Sequence, residues 1–99
     1  MILIEVSKKF GAFCSNGDAA ADYRRAHIDP HVEAVDEVVF DFSGVRNMNS
    51  SFVNALIANL VTYSRLPVAK LRFRNCRPNV RLLIESAVEL GVSRLESVH

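Results

Sequence analysis

The sequence predicts a small α/β domain, and three observations carry that expectation. Strand-like and helix-like segments alternate along the chain. Its 99 residues suffice for one core and leave no room for a second. Apolar residues make up 49% of it and the formal net charge is only +1, the opposite of a disordered composition. A chain of this size buries about two-thirds of its unfolded surface, so it folds alone but with a thin margin.

Met1–Val6 reads as a short strand. Ser7–Gly17 carries turn chemistry at Gly11 and at Ser15-Asn16-Gly17. Asp18 then suits a helix N-cap, followed by Ala19–Ala21, Tyr23 and Ala26. That helix should stop or kink near Pro30, which lacks an N–H and disfavours helical geometry in Asp29. Glu37–Phe42 is the clearest strand, with Val38, Phe40 and Phe42 on one face. Ser50–Arg65 is the clearest helix: Phe52, Val53, Leu56, Ile57, Leu60 and Tyr63 form a wide apolar stripe.

Val68–Arg74 alternates again, with Ala69, Leu71 and Phe73 on one side and Lys70, Arg72 and Arg74 on the other. Asn79–Leu90 predicts a third long helix, with Gly91 as the left-handed residue that ends it. Ser93–Val98 is expected as a last short strand. Alternation favours parallel pairs joined by right-handed crossovers. The basic face of Val68–Arg74 argues that helices cover mainly one side of the sheet and leave the other wet.

Charge is divided unevenly. Residues 1–64 hold five basic and eight acidic side chains, and residues 65–99 hold seven and three. Such asymmetry steers a partner, but the overall balance gives no nucleic-acid signature. Lys70, Arg72 and Arg74, extended by Arg77 and Arg81, have no interleaved aromatic residues to stack bases. They read as a solvated sheet face partly paired with Asp41, with an acidic protein partner as the functional alternative.

Cys14 and Cys76 fit no metal spacing, and without a signal-peptide pattern they read as reduced thiols of a cytoplasmic protein. The longest uncharged stretch, Asn47–Ser64, is too polar for a membrane span. His27 and His31 are four apart, but Pro30 between them spoils a helical metal-binding face. No metal or cofactor is expected. Cys76, flanked by Arg74 and Arg77, is the one hint of a nucleophile, since nearby arginines lower a thiol pKa. Arg81 sits one residue too early for a Cys-x5-Arg phosphatase loop.

The segment Asp41-Phe42-Ser43-Gly44-Val45-Arg46-Asn47-Met48-Asn49-Ser50-Ser51 is a strand ending in Asp, a short loop, then Ser-Ser opening an apolar helix. It resembles the signature of STAS domains, the fold of bacterial anti-sigma-factor antagonists, written approximately Asp-x-Ser-x-Val-x-x-x-Asp-Ser-Ser/Thr-Gly-Leu. Ser50-Ser51-Phe52 followed by Val53-Asn54-Ala55-Leu56 resembles more closely a bacterial STAS-like family of unknown function, whose helix opens with Ser-Ser-Phe. The resemblance covers about residues 36–90. It implies a small STAS-like sandwich with a mixed sheet and helices mainly on one face.

The same resemblance places the antagonists' phosphorylatable serine on Ser50 and the following hydroxyl residue on Ser51. Asn49 stands where they have aspartate, which removes a charge, and Phe52 where they have glycine, which adds bulk. It implies a non-catalytic regulatory module that binds a protein, an ATPase-type serine kinase or another signalling protein, through the loop Ser43–Asn49 and the helix start. Gly44, Asn47, Asn49, Ser50, Ser51 and Asn54 are its candidate contacts. Independently of any family, a serine at a helix start reads as a cap for a free backbone N–H, and as a place where phosphate is favoured. The competing expectations are a small enzyme using Cys76 and a structural or oligomeric subunit paired through the apolar strand edge or helix stripe.

Overall fold

The computed structural model describes residues 1–97. Strands β1 (Ile2–Glu5), β3 (Val38–Asp41) and β5 (Leu71–Arg74) form one sheet in the order β1-β3-β5. Strands β2 (Phe13–Cys14) and β4 (Asn47–Met48) form a second, two-stranded sheet. The α/β class stands, but every described pairing is parallel where a mixed sheet was expected. The reason is topological: each paired strand returns to its sheet through a helical crossover, which yields parallel neighbours.

The registers put Ile2, Val38 and Leu71, then Ile4, Phe40 and Phe73, side by side on one face. That face carries the core. Ile4, Val38, Phe40 and Leu71 are buried, and Phe73 packs against the Phe40 and Phe42 rings at 5.9 and 6.5 Å. The opposite face is mostly wet, as expected: Leu3, Glu5, Arg72 and Arg74 are exposed, and only Val39 of the central strand is covered. Arg72 pairs with Glu37 at 3.7 Å, and Arg74 lies opposite Asp41 in register.

Among the described residues, α1 (Val6–Phe10), α2 (Gly17–His27), α3 (Ser50–Val53), α4 (Asn59–Thr62) and α5 (Pro78–Ser97) each contribute buried residues to the core. Asn16, not Asp18, caps α2, its side chain accepting from Ala19 N–H at 3.0 Å. The helix ends at His27, and a 3-10 turn over Asp29–His31 takes in Pro30. The turn-like segment 7–17 also holds most of α1 and all of β2.

The helix expected over Ser50–Arg65 is interrupted. α3 and α4 are joined by a π-helical turn, Asn54–Ala58. Its extra residue rotates the buried face, which becomes Leu56, Ile57 and Ala58, then Leu60, Val61 and Thr62. Tyr63, expected in the apolar stripe, is consequently 67% exposed.

α5 also departs from expectation. It runs straight through Gly91 to Ser97, so Ser93–Ser97 is helix and Val98 lies outside the described residues. Gly91 is not a left-handed terminator; it is the contact point of two helices. A Cβ there would lie 2.7 Å from the Ala58 carbonyl oxygen and 2.9 Å from Val61 Cβ. The close approach lets Thr62 Oγ1 donate to the Gly91 carbonyl at 2.9 Å.

Candidate functional site

The corner between β3 and α3 is built from backbone bonds outward. At the end of β3, Asp41 Oδ1 accepts from the Asn75 amide at 3.0 Å and from Ser43 N–H at 2.9 Å. These two bonds, the Asn75 one foremost, hold the Asp41 carboxyl below its ordinary range. The chain then turns at Gly44, whose φ of 84° is a conformation glycine adopts freely. Ser7 Oγ, donating to the Ser43 carbonyl at 2.7 Å, ties this turn to α1.

β4 follows. Arg46 N–H donates to the Ala12 carbonyl at 2.7 Å, and Asn47 and Met48 pair with Phe13 and Cys14. Asn79, near the start of α5, donates its amide to the Arg46 carbonyl at 3.0 Å and to Asn47 Oδ1 at 3.3 Å. Asn49 closes the corner. Its N–H donates to the Cys14 carbonyl at 3.1 Å, its amide to the Ser15 carbonyl at 3.1 Å, and its Oδ1 accepts from Phe52 N–H at 2.8 Å. The last bond makes Asn49 the N-cap of α3.

The cap expected of Ser50 therefore belongs to its neighbour. Ser50 is the first helical residue, and both it and Ser51 are exposed. Ser51 is hemmed in by the start of α2, where a Cβ at Gly17 would come within 2.5 Å of its hydroxyl. Gly44, Asn47 and Asn49 share the exposed corner with the serines, while Asn54, at the start of the π turn, is half-buried.

The fold adds residues that the linear pattern does not single out. Phe13, 66% exposed, stands on β2 beside Asn47, and the two line a cavity of about 190 Å³ with Cys14, Ser15, Met48 and Asn49. Asn79 arrives from the far side. A two-residue strand has no alternation to read, so no signal in the sequence marks Phe13 as exposed.

Cys76 does not resemble an activated nucleophile. It is half-buried, with Sγ 3.7 Å from the Arg74 carbonyl. Burial pushes its thiol pKa up and outweighs the opposing effect of Arg81, while Asp41 adds to the rise. The lowering expected from the flanking arginines is thus reversed. Cys14 is buried, its thiol also pushed up by burial, and both cysteines are free. His27 lies against the Tyr23 ring at 4.7 Å. No helix among the described residues is long and apolar enough to cross a membrane.

The model of a family described as STAS-like domain of unknown function (DUF4325) matches residues 21–81. The chain belongs to that family. The match runs from within α2 through β3, the corner and β5 to the first turn of α5, so the serine pair lies inside it. No curated protein and no solved structure matches the chain.

Proposed function

We propose that this STAS-like domain is a non-catalytic regulatory protein-binding module that docks through the corner 43–51 together with Phe13. The observation that carries this reading is an exposed aromatic ring set in a collar of polar groups on a pinned backbone. Phe13 is 66% exposed, and Ser15, Asn47 and Asn49 surround it. Aromatic anchors inside a polar rim dominate binding energy at protein interfaces. The bonds of Asn49 and Asn79 hold the backbone in one shape, which lowers the ordering cost of association.

Ser50 is the proposed phosphoacceptor. Because Asn49 supplies the cap, the Ser50 hydroxyl is not consumed by the helix. A phosphate there adds about −1.5 to −2 charges beside the positive end of a helix, tolerated by the domain and repelled by a complementary partner surface. The partner is proposed to be an ATPase-type serine kinase or another signalling protein, with no role for nucleic acid, membrane or cofactor.

The test is to incubate the protein with ATP and a purified ATPase-type serine kinase from the same organism, then locate phosphate by mass spectrometry. Modification at Ser50, lost in Ser50→Ala, is expected. Modification elsewhere, or none while a known substrate of the kinase is phosphorylated, would remove the switch.

A further inference from the structure

At the other end of the helical layer lies a second cluster that the docking corner does not use. Arg24 of α2 is only 4% exposed. Its Nε donates to the Ala55 carbonyl in the π turn at 3.0 Å. Its Nη1 donates to Asp29 Oδ2 at 2.7 Å and to Ser64 Oγ at 2.9 Å. Ser64 Oγ in turn donates to Asp29 Oδ1 at 2.5 Å. Nη2 takes part in none of these bonds. Since no buried side-chain nitrogen or oxygen among the described residues lacks a partner, Nη2 must reach the surface.

That surface is a cavity of about 540 Å³, lined by Arg24, Arg25, Asp29, Val32, Asn59, Tyr63 and Ser64. Its polar groups are unbalanced. Both oxygens of Asp29, its one carboxylate, are engaged, and its charge is matched by Arg24. Asn59, which lines the cavity, accepts at Oδ1 from Arg94 at 3.4 Å, a bond that does not use its amide N–H donors. Arg25 is paired only loosely with Asp22, at 3.6 Å on an exposed surface. What remains for a ligand is donors and positive charge, with the Tyr63 ring and Val32 as an apolar wall. The volume lies in the range of small-molecule sites, about 300–1,000 Å³.

We propose that this cavity binds a small organic oxyanion, a carboxylate or phosphate carried on a flat apolar body. The oxyanion accepts from Arg24 Nη2 and the Asn59 amide, and the body lies on Tyr63. A charged guanidinium N–H and a neutral amide donor, converging on one point, select an oxyanion by charge-assisted hydrogen bonding. The π turn is what makes the site: it turns Tyr63 out of the core and presents the Ala55 carbonyl that holds Arg24.

The experiment is a titration of the ¹⁵N-labelled chain with phenyl phosphate, benzoate and inorganic phosphate, reading backbone amides, the Arg24 Nε–H and the Asn59 side-chain amide. Saturable shifts centred on Arg24, Asn59 and Ser64 are expected, complete by about 10 mM, the weak end of specific binding. Asn59→Asp keeps a partner for Arg94 but sets a carboxylate against the anion, and should weaken all three probes at least tenfold. Tyr63→Ala should weaken phenyl phosphate and benzoate while sparing inorganic phosphate. Arg25→Ala, on an exposed side chain, should weaken binding without lowering the melting temperature. The proposal is overturned if no probe saturates, or if well-folded Asn59→Asp binds as wild type does.

Discussion

Gly91→Ala separates two accounts of α5 by the sign of its effect. In an exposed helix interior the change stabilises, because alanine exceeds glycine in helix propensity by about 1 kcal/mol. At this position the added methyl would sit 2.7 Å from the Ala58 carbonyl oxygen and 2.9 Å from Val61 Cβ. Ordinary contact needs about 3.5 Å or more, so α5 must retreat from the helix carrying Ala58. Overpacking of this kind costs about 1–3 kcal/mol. Retreat also strains the buried bond from Thr62 Oγ1 to the Gly91 carbonyl, and leaving such groups unpaired costs about 1–3 kcal/mol more.

Set against the propensity gain, the net loss is about 1–5 kcal/mol. For a domain of this size each kcal/mol moves the melting temperature by about 4–8 °C. Urea unfolding followed by circular dichroism gives both the midpoint and the slope. A Gly91→Ala protein as stable as wild type, or more so, would refute the close helix crossing.

Asn49→Ala should cost about 0.5–2 kcal/mol as a lost cap, whereas Ser50→Ala should stay within about 0.5 kcal/mol; equal losses in thermal melts would return the cap to Ser50. Cys76, its thiol held up by burial, should react with a disulfide reagent at pH 7 more slowly than free cysteine and accelerate only as pH rises past the ordinary thiol range; fast labelling at pH 7 would revive a nucleophile. Asp41 has a depressed pKa in the fold, so its contribution is present above the ordinary carboxylate value of 3.8 and lost as pH falls through the folded value. Asp41→Asn should accordingly show a smaller acid-induced drop in urea midpoint than wild type below about pH 4.

How much was legible follows the length of each element. β3 and the helical run 50–62 carry enough periodic apolar residues to be found, β3 within one residue at each end and the helical run within three. β2 and β4 are two residues each, too short for any alternation, and they are what brings Phe13 to the serine corner. The cap was displaced by one residue because asparagine and serine suit the position equally, and only the Asn49–Phe52 bond decides between them.

Gly91 misled for a physical reason: a helix-ending glycine and a helix-crossing glycine look the same in one dimension. Arg24 was invisible in a similar way. A basic residue late in a helix reads as a solvated complement to the dipole, and its burial depends on a π turn thirty-one residues away in sequence. The serine pair, by contrast, was located from contiguous sequence, and the family match over residues 21–81 includes it.

If the corner docks a protein as proposed, charge at Ser50 controls the contact. The direct measurement is calorimetric titration of wild type, Ser50→Asp and Phe13→Ala against a purified ATPase-type serine kinase from the same organism, with melting curves run in parallel. An unpaired charge at a desolvated interface costs about 2–5 kcal/mol, which is about thirtyfold in affinity or more. Ser50→Asp and Phe13→Ala are each expected to lose at least that factor while melting within a few degrees of wild type. Equal affinity for all three proteins would contradict the proposal.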